Sequence, residues 1–289
     1  MKVSVIIVNY NGLHYTQQCL KSFYRFHETT SVEVIVVDNN SSDGSQSILP
    51  KEFPEIVFIP LPVNRGFGSA NNAGAKKAQG ELLFFVNNDT LFIEECISRL
   101  ERIFWSKNEY GIVGPRLLNE DSSIQRSYGR YPSIKNEYNE KNLLNHDGLE
   151  SKQAKLSENI SIQDWVTGAA FLMKHTLFED IGGFDENYFM YFEDIDLCKT
   201  IESKGLFSVY VPEVKIIHLG GRSYGNRDGI VLYEYRRSQL RYYRKHNSFL
   251  QSGAIRLYLI LKYIPKVFRT SMREVAVKVL RLSISRKYD

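Results

Sequence analysis

The chain is poor in cysteine. It has three in 289 residues, Cys19, Cys96 and Cys198, and each lies far from the others within an apolar, periodic stretch. An odd number of separated thiols does not build a disulfide scaffold, and reduced cysteines are typical of cytoplasmic proteins. The spacing also argues against a metal site built on sulfur. The sequence therefore predicts a cytoplasmic protein without structural disulfides.

Long hydrophobic runs are also missing. The opening MKVSVIIVNYNG has one lysine and a short apolar run that turn residues follow, which does not fit a signal peptide. Near the other end, the apolar stretch 254–268 is interrupted by Arg256, Lys262 and Lys266. It therefore falls short of the ~18 apolar residues of a membrane span. We expect a chain that lies on a membrane rather than one that crosses it.

Acidic residues are scarce in the last part of the chain. Residues 222–289 carry 16 Lys and Arg against 4 Asp and Glu, whereas residues 1–221 carry 21 against 29. A basic tail on an acidic body predicts an anionic partner. Because the tail has no zinc-finger spacing, heptads or helix-turn-helix pattern, we predict an anionic membrane surface and no nucleic acid. A solvated basic helix and self-association into a homo-oligomer are the alternatives.

Apolar strands alternate with helical patterns in the first half of the chain. The strand-like runs are 3–8, 32–37, 56–59 and 81–86. Fully apolar strands between helices predict an α/β fold with a mostly parallel central sheet, buried on both faces by flanking helices. Ligands of such sheets bind outside the carboxyl ends of the strands. We therefore expect the functional residues in the loops that leave those ends.

The second half has less regular patterning. Residues 118–162 are polar without a sustained period, which predicts a variable loop region. Residues 164–178 are typical of a strand that leads into a short helix, and a further helix is predicted from about residue 192. In 207–221 the pattern predicts two short strands divided at Pro212.

The stretch FFVNNDT, residues 84–90, ends a buried strand on a cluster of oxygen ligands. Asn87, Asn88 and Asp89 supply amide oxygens and one carboxylate, which suits a hard divalent ion that is already bound to a diphosphate. The alternative is an Asx turn, in which these side chains cap their own backbone.

Two more loops follow strand ends in the same way. Asp38 follows the second run and could accept hydrogen bonds from a base or a ribose hydroxyl; the alternative is an N-cap and turn around Ser42, Asp43 and Gly44. The stretch NRGFGSANNAG, 64–74, places Arg65 and backbone N–H groups where a phosphate could bind. It is neither a dinucleotide fingerprint nor a Walker loop.

The order of these motifs is more specific than any one of them. SVIIVNYNG, VIVVDNNSSDGS, NRGFGSANNAG, FFVNNDT, GGFDENYFMYFEDIDLCKTIESKG and IIHLGGRS follow one another over residues 1–223. This order resembles family 2 of the inverting nucleotide-sugar glycosyltransferases, with the GT-A fold, and within it the rhamnosyltransferase-like branch.

The resemblance implies roles at the nucleotide-sugar side of the site. Asp89 would be the metal-binding end of the family's Asp-x-Asp motif, which reads Asn-Asn-Asp here, and His218 would join it on Mg²⁺ or Mn²⁺. The residues implied in nucleotide-sugar binding are Tyr10, Asp38, Asn64, Arg65, Gly66, Asn72, Asn88 and Asp89.

The resemblance also implies catalytic and acceptor residues. Glu193 and Asp194 match the family's Glu-Asp pair, with Asp194 as the base that takes the proton of the acceptor hydroxyl. The alternative is that both carboxylates only complement the macrodipole at a helix start. The residues implied in acceptor binding are Trp165, Gly182, Gly183 and Asp185.

The implied domain organisation is a GT-A domain over 1–223 and a basic helical extension over 224–289. The domain would divide into a nucleotide-sugar half (1–117), the variable loop region (118–162) and an acceptor and catalytic half (163–223). The implied activity is inverting transfer from a nucleotide diphosphate sugar to a saccharide or lipid-linked saccharide, in surface polysaccharide synthesis, by a protein peripheral to the inner face of the cell membrane. dTDP-rhamnose is one candidate donor, a UDP-hexose is another, and a non-catalytic binding or scaffold protein is the alternative from a different class.

Overall fold

The structure, a computed structural model, describes residues 2–27, 31–134, 158–220 and 228–285. The strands are β1 (Val3–Asn9), β2 (Val32–Asp38), β3 (Val57–Pro60), β4 (Leu82–Asn87), β5 (Thr90–Phe92), β6 (Tyr110–Leu118), β7 (Ile124–Gln125), β8 (Tyr128–Gly129), β9 (Ser161–Gln163), β10 (Trp165–Val166), β11 (Ala170–Lys174) and β12 (Phe207–His218). The α-helices are α1 (Leu13–Phe26), α2 (Ser45–Glu52), α3 (Phe67–Ala75), α4 (Ile97–Phe104), α5 (His175–Asp180), α6 (Glu193–Glu202), α7 (Asp228–His246), α8 (Phe249–Tyr263) and α9 (Arg273–Ile284).

Ten of the strands form one central sheet, with the order β3-β2-β1-β4-β11-β6-β12-β5 along its main path. β1, β2, β3 and β4 pair in parallel, as do β6 and β12. β11 is inserted antiparallel between β4 and β6. The predicted α/β class with a mostly parallel sheet and flanking helices is thus confirmed, and the carboxyl ends of β1, β2 and β4 lie side by side.

The prediction of two strands divided at Pro212 is wrong. β12 is one strand that runs through Pro212, and it shows a register shift against β6 between Val211 and Lys215. The proline lacks the N–H that regular pairing needs, so the irregularity falls around it without ending the strand. The segment 118–162 is not all loop either, because its described part contains β7, β8 and most of β9.

The core lies on both faces of the sheet. Along β1, Val5 and Ile7 pack with α1 on one face, while Ile6 packs on the opposite face. This alternation follows from the period of two in a strand, and the absence of any polar face is why the run reads as continuously apolar.

The C-terminal helices pack against the second half of the domain. Tyr188 and Phe192 are buried in one cluster with residues of α7, α8 and α9, such as Tyr242 and Leu259. Lys245 of α7 also forms ion pairs with Asp185 and Asp196. Part of the basic charge of this region is therefore balanced inside the molecule. Among the described helices, none is long and apolar enough to cross a membrane.

Candidate functional site

A buried polar network joins the carboxyl ends of β1, β2 and β4. The Asn9 amide donates to Asp38 Oδ2 at 2.7 Å, and Asn9 Oδ1 accepts from Thr16 and Asn88. Asp38 Oδ1 accepts from the Ser41 N–H at 2.9 Å and, in addition, from the side chain of Gln46. The network fixes the strand ends relative to one another.

Asp38 is fully buried within this network and does not line the neighbouring cavity. Both of its carboxylate oxygens accept hydrogen bonds from the protein. The geometry therefore favours the turn interpretation of Asp38 over direct contact with a ribose. Asn39, the next residue, does reach the cavity wall.

A cavity of about 400 Å³ opens above these strand ends. Its walls combine the end of β4, the β10–β11 connection, the start of α6, the end of β12 and one side chain of α7, Tyr235. Seven of the predicted site residues line it: Tyr10, Asn88, Asp89, Trp165, Glu193, Asp194 and His218.

Asp89 and His218 face each other in this cavity. Asp89 Oδ1 lies 3.3 Å from His218 Nε2. On the other side of the ring, Nδ1 lies 2.7 Å from Gln125 Oε1, an oxygen that can only accept a hydrogen bond. The Gln125 amide is itself held by donation from its nitrogen to Asn119 Oδ1 and the His218 carbonyl. In the neutral imidazole, Nδ1 therefore carries the proton, and the lone pair of Nε2, beside Asp89, accepts from the Asn87 side-chain amide at 3.2 Å.

These residues fit a divalent cation that is shared with a substrate. A carboxylate oxygen and the imidazole Nε2 lie 3.3 Å apart, and the buried Asn87 Oδ1 beside them has no hydrogen-bond partner among the described residues. In the described ranges, no group of three or more His, Cys, Asp or Glu could hold a metal ion. Two protein ligands suit an ion that takes its other oxygens from phosphates and water.

A strained turn presents Glu193 and Asp194. Tyr191 and Phe192 adopt consecutive left-handed conformations, with φ of 65° and 68°, immediately before α6. Such residues cost of order 1–3 kcal/mol each and persist only where packing enforces them. Here α7 supplies the packing, because Tyr235 contacts both rings and Ser238 donates to the carbonyl of Met190 at 2.8 Å.

The two carboxyl groups differ in their partners. Asp194 Oδ2 accepts from the Gly168 N–H, and Oδ1 accepts from the Ile195 N–H, each at 2.8 Å. Glu193 Oε2 is buried without a hydrogen-bond partner in the part of the chain that the structure describes. Hydrogen bonds thus orient the carboxylate of Asp194 through both of its oxygens, whereas Oε2 of Glu193 is not held by any from a described residue.

Burial raises the pKa of both carboxyl groups. For Glu193 the pKa lies well above its ordinary value, because burial and then the negative charge of Asp194 oppose its ionisation. For Asp194 burial also raises the pKa, while the hydrogen bonds from Gly168 and Ile195 favour its ionised form. The two backbone hydrogen bonds favour ionisation of Asp194 over ionisation of Glu193, whose Oε2 accepts none from the described residues.

In the predicted phosphate loop, Phe67 lines the cavity, whereas Asn64, Arg65 and Gly66 lie outside its wall. Asn64 and Gly66 are tied to Asn39, whose amide donates to Asn64 Oδ1 at 2.9 Å and to the Gly66 carbonyl. Arg65 donates its backbone N–H to Asn39 Oδ1. Gly66 has φ of 94°, and a Cβ there would lie 2.2 Å from the carbonyl oxygen of Phe189. Only glycine allows this approach.

The other predicted residues outside the cavity wall make structural contacts. Asn72 brackets Phe184 by hydrogen bonds to its N–H and carbonyl. Gly182 and Gly183 form the left-handed turn that follows α5. The carboxylate of Asp185 is paired with basic residues of α7; although burial opposes its ionisation, hydrogen bonds from Asn187 and the charge of Lys245 lower its pKa. The structure does not place these four residues at the cavity.

The sequence analysis did not predict three residues of the cavity wall, Arg126, Arg130 and Tyr235, or the residue that holds His218, Gln125. Gln125, Arg126 and Arg130 come from a polar segment without periodicity, and Tyr235 belongs to the extension that was set apart from the catalytic domain. The only sequence signal for the arginines was their charge within an otherwise neutral stretch. Arg126 lies over the Trp165 ring, with its guanidinium carbon 5.8 Å from the ring centre.

A second concavity, of about 550 Å³, opens beside Arg116, Glu158 and Lys215. Its described lining contains none of the predicted site residues. The chemistry is therefore assigned to the cavity above the strand ends.

The fold and this site define a glycosyltransferase of the GT-A type: a mainly parallel sheet whose strand ends carry an Asp-His pair, with two carboxylic acids across the cavity. The sequence model of the family described as Glycosyl transferase family 2 matches residues 4–182. The chain belongs to this family.

Relatives and solved structures agree with this class. An N-acetylglucosaminyl-diphospho-decaprenol L-rhamnosyltransferase of Mycobacterium tuberculosis is 27% identical over 238 residues, which cover 76% of this chain and 77% of that protein. Rhamnosyltransferase WbbL of Escherichia coli is 24% identical over 225 residues, 75% of this chain and 83% of that protein. The structure of mannosyltransferase PcManGT from Pyrobaculum calidifontis, in complex with GDP-Man and Mn²⁺, superposes with a TM-score of 0.57 at 17% identity, covering 98% of this chain and 70% of that one. This last likeness shows the fold.

Proposed function

We propose that the chain transfers a sugar, with inversion at the anomeric carbon, from a nucleotide diphosphate sugar to a lipid-linked saccharide. The observation that carries the proposal is one cavity in which the Asp89–His218 pair and the Glu193–Asp194 pair are brought together. Transfer requires stabilisation of a leaving diphosphate and a base for the acceptor hydroxyl on the opposite face of the sugar. The two pairs supply those two functions.

Mg²⁺ or Mn²⁺ held by Asp89 and His218 would neutralise charge on the leaving diphosphate. Gln125 keeps the His218 lone pair on Nε2, beside Asp89, and Tyr10 and Asn39 offer contacts to the nucleoside from the same wall. The use of Mn²⁺ with GDP-Man by the similar mannosyltransferase structure supports this assignment.

Asp194 is assigned as the base. Its carboxylate accepts hydrogen bonds from two backbone N–H groups, which favour its ionised form, and each oxygen keeps a further lone pair for the acceptor hydroxyl. Burial and then the charge of Asp194 raise the pKa of Glu193, which favours the protonated form of Glu193 beside Asp194. A purely binding or scaffold protein would have no need of two adjacent carboxyl groups presented to the cavity by a strained turn, so the pair favours catalysis.

The acceptor side is assigned to Trp165, Arg126 and Arg130. The indole offers an apolar ring for a sugar face, and two guanidinium groups in the same wall suit an acceptor that carries phosphate. The two rhamnosyltransferase relatives support dTDP-rhamnose as the donor, with a UDP-hexose as the alternative. This acceptor chemistry supports a place in surface polysaccharide synthesis.

A transfer assay tests the proposal. The protein is incubated with dTDP-rhamnose or a UDP-hexose, a lipid-diphosphate saccharide acceptor, and either Mn²⁺ or EDTA, and the product linkage is read by NMR. We expect one donor to be used, with inverted configuration and only in the presence of metal. Retention of configuration, or equal turnover in EDTA, would contradict the corresponding part of the proposal.

A further inference from the structure

The outward face of α8 carries a row of exposed apolar side chains. Leu250, Leu257, Leu261, Ile264 and Phe268 are 80%, 56%, 64%, 47% and 86% exposed. They follow one another at the three- and four-residue spacing of one helix face, with Gly253 in the gap between the first two, and they continue into the 3₁₀ turn Ile264–Phe268. We call these five residues the α8 stripe.

The stripe is not the core face of the helix. Ile255, Leu259 and Tyr263 are buried on the opposite side, in the cluster shared with α7 and α9. The helix therefore has apolar residues on both sides, although the packing of the domain uses only one. A row of large apolar side chains at this exposure indicates an interaction surface.

The sequence on either side of the stripe is rich in basic residues. Between residues 235 and 273 the chain has ten Lys and Arg and no Asp or Glu. Arg269 and Arg273 are exposed at the end of the stripe. Burial and the neighbouring positive charges of Lys262, Arg236 and Arg269 lower the pKa of Lys266, which reflects the positive potential of this region.

We propose that the α8 stripe docks into the interfacial layer of an anionic lipid bilayer. Apolar side chains in a row, flanked by basic residues, match a surface that has acyl chains below anionic headgroups. From residue 250 to residue 268 the stripe is about 27 Å long, so the helix lies flat on the surface. A second copy of the chain fits less well, because symmetric packing of this face would oppose its basic residues to one another.

Docking through the stripe would bring the active cavity to the membrane surface. α7 packs against α8 and also supplies Tyr235 to the cavity wall. The stripe and the cavity are therefore linked through one helix. A lipid-linked acceptor would then meet the cavity without leaving the bilayer.

Vesicle co-sedimentation of the full chain tests the docking. Vesicles of phosphatidylcholine alone are compared with vesicles that contain phosphatidylglycerol, at low and high salt. The test variant is Leu257→Gln/Leu261→Gln, and the matched control is Ile48→Gln/Ile162→Gln, which changes apolar residues that are 38% and 50% exposed elsewhere on the protein. We expect binding to anionic vesicles that weakens with salt, and a loss of about tenfold or more for the stripe variant only.

A second variant, Arg269→Gln/Arg273→Gln, keeps the stripe and removes charge. It should reduce binding to anionic vesicles and flatten the salt dependence, so that the proposal stays testable if the first variant does not fold. Equal binding of wild type and both variants would overturn the proposal. So would a wild type that binds no vesicles but sediments as a dimer that the stripe variant dissociates. The assay involves no sugar transfer, so its outcome is independent of the proposed activity.

Discussion

The substitution Asp194→Asn tests the assignment of the base, and it does more than remove a charge. Both carboxylate oxygens of Asp194 accept backbone N–H groups, those of Gly168 and Ile195. Asparagine has one oxygen and one NH₂ group, so its NH₂ must face one of those donors. The variant should therefore lose about 1–3 kcal/mol of stability through an unpaired buried N–H.

The kinetic effect of Asp194→Asn should be larger than this structural one. A positioned general base contributes roughly 10²–10⁴ in rate. We expect single-turnover transfer to fall by at least about 10², which corresponds to about 2.7 kcal/mol of activation free energy. Donor affinity should stay near that of wild type, because the diphosphate is assigned to Asp89 and His218 and not to Asp194. Both quantities can be measured, by rapid quench at saturating donor and by calorimetry.

Glu193→Gln is the matched control. Glu193 Oε2 has no hydrogen-bond partner among the described residues, so the amide should cost little, and the chemical step should change less than in Asp194→Asn. Because the pKa of Glu193 is raised in the folded state, wild type loses stability as pH rises above the unfolded value of about 4.3. The glutamine variant should lose less over that range. Unimpaired single turnover by Asp194→Asn, or a loss equal to its loss of donor affinity, would refute the assignment.

Three further outcomes are expected. Gly66→Ala should lower the free energy of unfolding by at least about 1–3 kcal/mol in urea titrations, because its φ of 94° and the carbonyl oxygen 2.2 Å from the added Cβ both disfavour alanine; an unchanged midpoint would contradict the close approach. Gln125→Leu should weaken metal-dependent binding of a nucleoside diphosphate about 10- to 100-fold in calorimetry, because His218 loses its orienting acceptor, while binding in EDTA stays unchanged; equal affinity with metal in both proteins would exclude this role. A chain that ends at residue 223 should lose transfer activity even with a water-soluble acceptor, because Tyr235 no longer supports the turn before α6; full activity of a folded truncation would show that the turn holds without it.

The strands that end at the site could be predicted because their signals are local. Runs such as 3–8 and 81–86 consist almost entirely of apolar residues, which predicts buried strands. A parallel sheet then brings the carboxyl ends of these strands together. The motif order added Glu193 and Asp194, which pattern alone would assign to a helix start. The position of a residue at the end of a strand, however, does not determine whether its side chain points into the ligand cavity or into the protein interior. Asp38 was expected to face a ligand, whereas its carboxylate is held inside by Asn9.

The parts that escaped prediction depend on distant contacts. Gln125 reaches His218 because β7, only two residues long, pairs with the end of β6. A strand of two residues is too short to show a periodic pattern, so its sequence does not predict that pairing. Tyr191 and Phe192 take left-handed conformations that aromatic residues rarely adopt, and they do so because α7 packs on them. Sequence periodicity does not predict a turn whose conformation is imposed by packing against a distant helix.

The C-terminal helices therefore connect two properties that the sequence suggested separately. Their basic charge first indicated a partner outside the molecule, yet Lys245 is used inside it, on Asp185 and Asp196. The α8 stripe, in contrast, is exposed. The opposite face of α8 packs in one core with Phe192, which belongs to the strained turn before α6. Because one packed cluster supports both the turn and the exposed stripe, substitutions on the exposed side can separate surface attachment from catalysis, whereas removal of the helices cannot.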